Sequence, residues 1–225
     1  RINMLHAATI KFLKELKKNN QRDWFEANRK QYEAAKSDYA IFTQNVIDAF
    51  GKKDEAIAAL KAKDCMFRIN RDVRLSKNKD PYKTNMGASF SKGGKKSPLA
   101  GYYFHCEPGN SFVGGGLWMP EVDGLKKLRQ EIDYNFNEFK KIISNKKFVA
   151  SYKEMSDSEG TRLSRPPKGY EADNPAIEYI KLKSFVAMAP ITDEELTGKN
   201  LLKKITGAFE ALQPLIIFIN QAIES

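Results

Sequence analysis

Ala100-Gly101-Tyr102-Tyr103-Phe104-His105-Cys106-Glu107 is the stretch on which the reading of the fold turns. Side chains alternate along an extended chain, so Tyr103, His105 and Glu107 share one face and Tyr102, Phe104 and Cys106 the other. Three neighbouring runs have the same aromatic or β-branched texture: Met66 to Asn70, Met86 to Phe90 and Ser111 to Trp118. Gly, Pro, Ser and Lys separate them, which predicts an antiparallel sheet in the middle of the chain. Gly114-Gly115-Gly116 falls inside the last run and lacks the Lys-Ser/Thr of a phosphate loop, so a bulge or a close backbone approach is expected there.

Helical periodicity takes over on both sides. Ile10, Phe12, Leu13 and Leu16 give one apolar face, stopped at Asn19-Asn20. Asp23 and Glu26 form a capping-box pattern ahead of a long helix with Phe25, Asn28, Tyr32, Tyr39, Phe42, Val46 and Phe50, ending at Gly51. A short helix follows around Asp54 to Lys61. Beyond the sheet, Pro120-Glu121 opens a helix carrying Leu125, Leu128 and Ile132, and a second stretch carries Phe136, Phe139 and Ile143. Lys147 to Tyr152 reads as a strand, Ser156 to Asp173 as a polar loop, Asn174-Pro175 as a helix start, and Ser184 to Ala189 as a return to the sheet. Thr192 with Glu195 is a further capping box, before a last helix running from Leu201 past a kink at Pro214 to Ile223. The expectation is an α+β fold, a central antiparallel sheet packed against N-terminal and C-terminal helices, with residues 1–225 as a single domain.

The chain is 41% hydrophobic and 29% charged, an ordinary globular composition. No apolar run is long enough to span a bilayer, and the pattern from Arg1 to Lys18 has no signal-peptide block, so no membrane association and a cytoplasmic location are expected. The two cysteines, Cys65 and Cys106, lie in apolar stretches and read as buried thiols. The net charge of +10 is local. Lys61 to Lys96 holds eleven Lys and Arg against three Asp, a surplus of +8, whereas the other 189 residues are nearly neutral.

Within that segment Phe67-Arg68-Ile69-Asn70-Arg71-Asp72-Val73-Arg74-Leu75 sorts by the two-residue period into a polar face, Arg68, Asn70, Asp72 and Arg74, and an apolar face interrupted only by Arg71. Two guanidinium forks around an amide and a carboxylate suit a phosphate or carboxylate, and an internal ion-pair ladder is the competing structural reading. Lys77, Lys79, Tyr82 and Lys83 extend the candidate ligand-binding set through a turn at Asp80-Pro81, with Arg165 and Lys168 as further cations and Trp118 as a second aromatic surface. If the Arg68 face neighbours the Tyr103 face, His105 and Glu107 become a catalytic acid/base pair. No metal and no cofactor are predicted: His105-Cys106 point apart on a strand, and His6 is the only other imidazole.

Several blocks in order resemble the bacterial domain-of-unknown-function family 2461: Asn19-Asn20-x-Arg22-x-Trp24-Phe25-x-x-Asn28-Arg29-x-x-Tyr32, Phe67 to Arg74, Asp80-Pro81-Tyr82-Lys83-Thr84-Asn85, Gly101-Tyr102-Tyr103 and Gly114-Gly115-Gly116-Leu117-Trp118-Met119-Pro120. Pro167-Lys168-Gly169-Tyr170 and Lys181-Leu182-Lys183-Ser184 match as well. Leu75 departs from the aromatic residue usual there. The resemblance implies a single domain and carries over no catalytic residue. From the residues, the expected function is binding of a phosphate-bearing or other anionic small molecule at the arginine face, with phosphoryl- or acyl-transfer or hydrolysis chemistry as its enzymatic version. A nucleic-acid-binding protein using segment 61–96 is the alternative, and a protein-interaction module built on the last helix is a third.

Overall fold

The computed structural model describes residues 3–225; Arg1 and Ile2, the start of the charged N-terminal pattern, lie outside the described residues. Along the chain come α1 (Ala7–Lys18), α2 (Arg22–Ala27), α3 (Arg29–Phe50), α4 (Glu55–Ala58), α5 (Ala62–Cys65), β1 (Met86–Ser91), β2 (Gly101–Cys106) and β3 (Ser111–Leu117). Then follow α6 (Val122–Tyr134), α7 (Phe136–Ile143), α8 (Lys146–Tyr152), α9 (Ile177–Ile180), β4 (Phe185–Ile191), α10 (Asp193–Leu196) and α11 (Leu201–Glu224). The strands form one antiparallel sheet in the order β1-β2-β3-β4, and the fold is α+β.

The chain divides into two compact units. The first comprises the chain up to Lys95, Tyr103–Val113 and Pro190–Gly207; the second comprises Lys96–Tyr102, Gly114–Ala189 and Ala208–Ser225. In the first unit the apolar stripe of α3 meets the inner face of β2: Phe104 stacks on Tyr39 with ring centres 5.6 Å apart and meets Phe42 edge-on at 5.6 Å. All three are fully buried, and each such side chain contributes roughly 1.5–3 kcal/mol through burial. The Tyr39 hydroxyl donates to the Phe104 carbonyl at 2.9 Å, so the buried phenol has its partner.

In the second unit Phe209 of α11 packs on Tyr102 at 4.9 Å, and Phe218 meets Phe139 of α7 at 5.6 Å. Leu212, Ile216 and Ile219, on which an exposed C-terminal face would depend, are buried. The glycine triplet makes the close approach expected of it: a Cβ on Gly114 or Gly116 would lie 2.0 Å from the carbonyl oxygen of Ala187 or Phe185. Pro214 lies inside α11, which continues through it.

Four local expectations are corrected. Lys147 to Tyr152 is helix, not strand: Asn145 caps α8 by accepting from the Lys147 N–H at 2.9 Å, and Phe148 and Tyr152, four apart, bury one face. The long second helix is two helices, because Asn28 adopts a non-helical conformation and its side chain bonds the Trp24 carbonyl at 2.8 Å; Gln21, not Asp23, precedes α2. Met66 to Asn70 is not a sheet strand, since it makes only isolated antiparallel bridges, Met66 to Ala88 and Asn70 to Tyr82. The helix after Asn174-Pro175 starts only at Ile177, Asn174 accepting from the Ala176 N–H at 2.8 Å. The Thr192–Glu195 capping box forms as read. Both cysteines are buried free thiols, and burial pushes Cys65 up to about 12 and Cys106 higher still. Among the described residues no helix is long and apolar enough to cross a membrane.

Candidate functional site

Residues 66–85 form an irregular hairpin. Its arms are joined by Arg71 N–H to the Pro81 carbonyl (2.9 Å) and Lys83 N–H to the Ile69 carbonyl (2.8 Å). Arg71, the one charge on the apolar side, ties down the loop: its guanidinium donates to the carbonyls of Asn78 (3.2 Å) and Asp80 (2.7 Å) and to Ser76 Oγ (3.1 Å). The alternation holds only in part: Arg68, Asn70, Asp72 and Arg74 are exposed and Ile69 is buried, but Phe67 and Leu75 of the expected apolar face are exposed too, because no regular strand forms.

Those four residues do not form one receptor. Arg74 is 85% exposed and grips Asp72 bidentately at 2.9 and 2.6 Å, the local ion pair of the competing reading. The hydrogen bonds from Arg74 hold the Asp72 carboxyl below its ordinary value, with Arg68 adding to the effect. No carboxylate pairs with Arg68 among the described residues. Lys83 donates to the Arg68 carbonyl at 2.8 Å and lies 5.7 Å above the Phe67 ring. Burial, and secondarily repulsion from Arg68, lower the Lys83 pKa. Lys77 and Lys79 are exposed, the latter donating to the Val73 carbonyl at 2.8 Å. The Tyr82 ring is no stacking platform for a ligand: it is buried against Phe25 with ring centres 4.0 Å apart. Trp118, Arg165 and Lys168 belong to the second unit.

On the outer face of β2, Tyr103, His105 and Glu107 form a continuous chain. Tyr103 Oη is 2.9 Å from His105 Nδ1, and His105 Nε2 is 3.0 Å from Glu107 Oε1. Glu107 also accepts from Thr84 Oγ1 (2.7 Å) and Asn110 Nδ2 (3.2 Å). Burial alone would raise its pKa, but the hydrogen bonds from His105, Thr84 and Asn110 outweigh it and the net shift is downward. Glu107 is therefore ionised at neutral pH and can only accept. That assigns the proton of neutral His105 to Nε2, leaves Nδ1 as an acceptor, and makes the Tyr103 hydroxyl the donor. Burial, with the charge of Glu107 adding to it, pushes Tyr103 up to about 12.

The surroundings fix this chain in place. Phe112 stacks on the imidazole with ring centres 4.6 Å apart and planes at 14°. Asn85 Nδ2 lies 3.4 Å from His105 Nδ1. Glu107 sits at the head of the turn Glu107-Pro108-Gly109-Asn110, closed by the Asn110 N–H to the Glu107 carbonyl at 2.8 Å; Gly109, at φ 81°, supplies the positive φ that a type II turn demands. Across the sheet Gly87 makes room for the phenol, since a Cβ there would lie 2.5 Å from Tyr103 Oη. Phe67 lies 6.3 Å from the Tyr103 ring, so Lys83, Phe67, Tyr103, His105 and Glu107 are successive neighbours. The two sequence-predicted clusters thus meet through Phe67, Lys83, Thr84 and Asn85, not through Arg68 and Arg74 themselves. Among the described residues no group of three His, Cys, Asp or Glu is placed to hold a metal ion.

Residues 8–218 match the conserved hypothetical proteins of DUF2461, and the chain belongs to that family. No curated protein and no solved structure matches it.

Proposed function

We propose that this chain is an enzyme that carries out general acid–base chemistry on an anionic substrate, with Tyr103, His105 and Glu107 as the proton-handling group and Lys83 with Arg68 as the anion grip. The observation that carries the reading is the unbroken chain of contacts from the Tyr103 hydroxyl through the His105 imidazole to the Glu107 carboxylate, the order of an activated hydroxyl, its base and the group that orients the base. In the forward step a proton from water or a substrate hydroxyl passes to Tyr103 Oη as the Tyr103 proton passes to His105 Nδ1. Glu107 stabilises the imidazolium so formed. The return step delivers the proton to the leaving group, which suits hydrolysis or transfer of a phosphoryl or acyl group. The raised pKa of Tyr103 keeps the phenol protonated until the substrate is in place.

Among the described residues neither Lys83 nor Arg68 is paired to a carboxylate, which favours an anion, and a bound anion relieves their mutual repulsion. The exposed Arg74 adds a fork that can leave Asp72 for a ligand at little cost, since solvent screens such a surface pair. A thermal-shift screen of sugar phosphates, nucleotides and carboxylates tests the grip. Saturation at 100 times Kd stabilises by about 2.7 kcal/mol, an effect expected to vanish in Arg68→Ala/Lys83→Ala. An unchanged response in that variant rules the grip out.

A further inference from the structure

We infer that a second binding site, separate from the Tyr103 chain, lies in the cleft between α2, the first half of α3 and the 66–85 hairpin, and that it takes a small organic anion with a compact apolar body. The cleft has a volume of ≈ 530 Å³, within the roughly 300–1,000 Å³ of small-molecule sites. Its floor is rigid and apolar. Phe25 and Tyr82 are stacked and buried there, beside buried Ile69. The backbone of Tyr82 is clamped by Asn20, which donates through Nδ2 to its carbonyl (2.9 Å) and accepts its N–H (3.1 Å).

The walls carry Arg22, Arg29, Lys36 and Arg71 against Glu26 and Glu33, an excess of two positive charges. The acids are spoken for by one residue: Arg29 holds Glu26 bidentately (2.9 and 2.6 Å) and approaches Glu33 at 3.6 Å. The other three cations have no acid partner among the described residues. Arg71 is the most informative of them. Three of its five N–H groups bond neutral oxygens of the hairpin loop, which fixes the guanidinium without cancelling its charge, and two donors remain. A preoriented, uncompensated fork beside an apolar floor recognises a carboxylate or phosphate attached to a small ring or aliphatic body. Glu26 and Glu33 at the same walls repel a polyanion, so a single anionic group fits the site better than a nucleic-acid backbone.

Phenyl phosphate, benzoate and inorganic phosphate are suitable probes, titrated at low salt and followed by calorimetry and by chemical shifts of Ile69, Phe25 and Tyr82. Phenyl phosphate or benzoate is expected to bind more tightly than inorganic phosphate, to shift those residues, and to lose about tenfold or more in Kd with Arg22→Ala/Lys36→Ala, two exposed positions whose loss leaves the core intact. Lys83→Ala and His105→Gln should leave this binding unchanged, which separates the cleft from the proposed grip at Arg68 and Lys83. Absence of binding by all three probes, equal binding by the Arg22/Lys36 variant, or shifts confined to Phe67 and Tyr103 would overturn the inference.

Discussion

Ionised Glu107 sets the tautomer of His105, and through it the role of Tyr103, so the carboxylate is where the chain of bonds can be tested singly. Its folded pKa is lowered, so its stabilising contribution is complete above the ordinary carboxylate range near 4.3 and is lost as pH falls through the folded value. Glu107→Gln should therefore reduce stability at neutral pH and flatten the acid limb of an unfolding-versus-pH curve; an unchanged acid limb would show that the carboxylate is not held down. Lys83 gives a slope of the same sign at higher pH, but there the charged form is the one penalised. Its folded pKa is lowered by burial and by Arg68, the unfolded chain binds that proton more tightly, and stability should rise with pH between the folded value and the ordinary 10.5, a slope that Lys83→Met removes in urea titrations at alkaline pH. The face shared by Tyr103, His105 and Glu107 was legible in the sequence because a strand has a period of two. The arrival of Thr84 and Asn85 at Glu107 and His105 was not, because it depends on pairing between arms of an irregular hairpin, which no local pattern encodes.

Elements where caps, apolar spacing and alternation agree were read well, and those decided by one local side-chain bond were not. The Thr192 capping box, α1 and the strands from Met86 onward follow from caps, apolar spacing and alternation. Lys146–Tyr152 has aromatic and β-branched residues that suit either state, and its Asn145 cap with burial of Phe148 and Tyr152 decides for helix. At Asn28 a side chain competing for a backbone carbonyl splits one amphipathic pattern in two. The glycine triplet offers a stability test at this scale. Gly116 has φ 128° and no room for a Cβ against the Phe185 carbonyl, so Gly116→Ala should destabilise by roughly 1–3 kcal/mol in denaturant unfolding, whereas Gly124→Ala, in the open on α6, should not destabilise. Equal effects would mean that the β3–β4 approach is not as close as described.

For the whole molecule, the concentration of positive charge in 61–96 combines cations held in quite different ways. Arg71 holds a loop with three of its donors, Arg74 holds Asp72, and Lys79 and Lys95 bond carbonyls at Val73 and Lys63, and a charge count says nothing of what each cation already holds. The cations of the cleft, Arg22, Arg29 and Lys36, escaped notice because they sit on helices whose aromatic stripe read as core. Salt distinguishes the proposed small ligand from a polynucleotide: a protein contacting about six duplex phosphates loses about 10³-fold or more in affinity between 50 and 200 mM salt, and the ligand held by Arg68 and Lys83 should lose far less. The most direct measurement is turnover of a panel of phosphate and carboxylate esters by the native chain, Tyr103→Phe and His105→Gln, with anion-induced thermal shifts recorded alongside. The account predicts that a turned-over ester slows about 10²–10⁴-fold in both variants while anion binding persists. Turnover by His105→Gln at the native rate, or no turnover of any ester by the native chain, would contradict it.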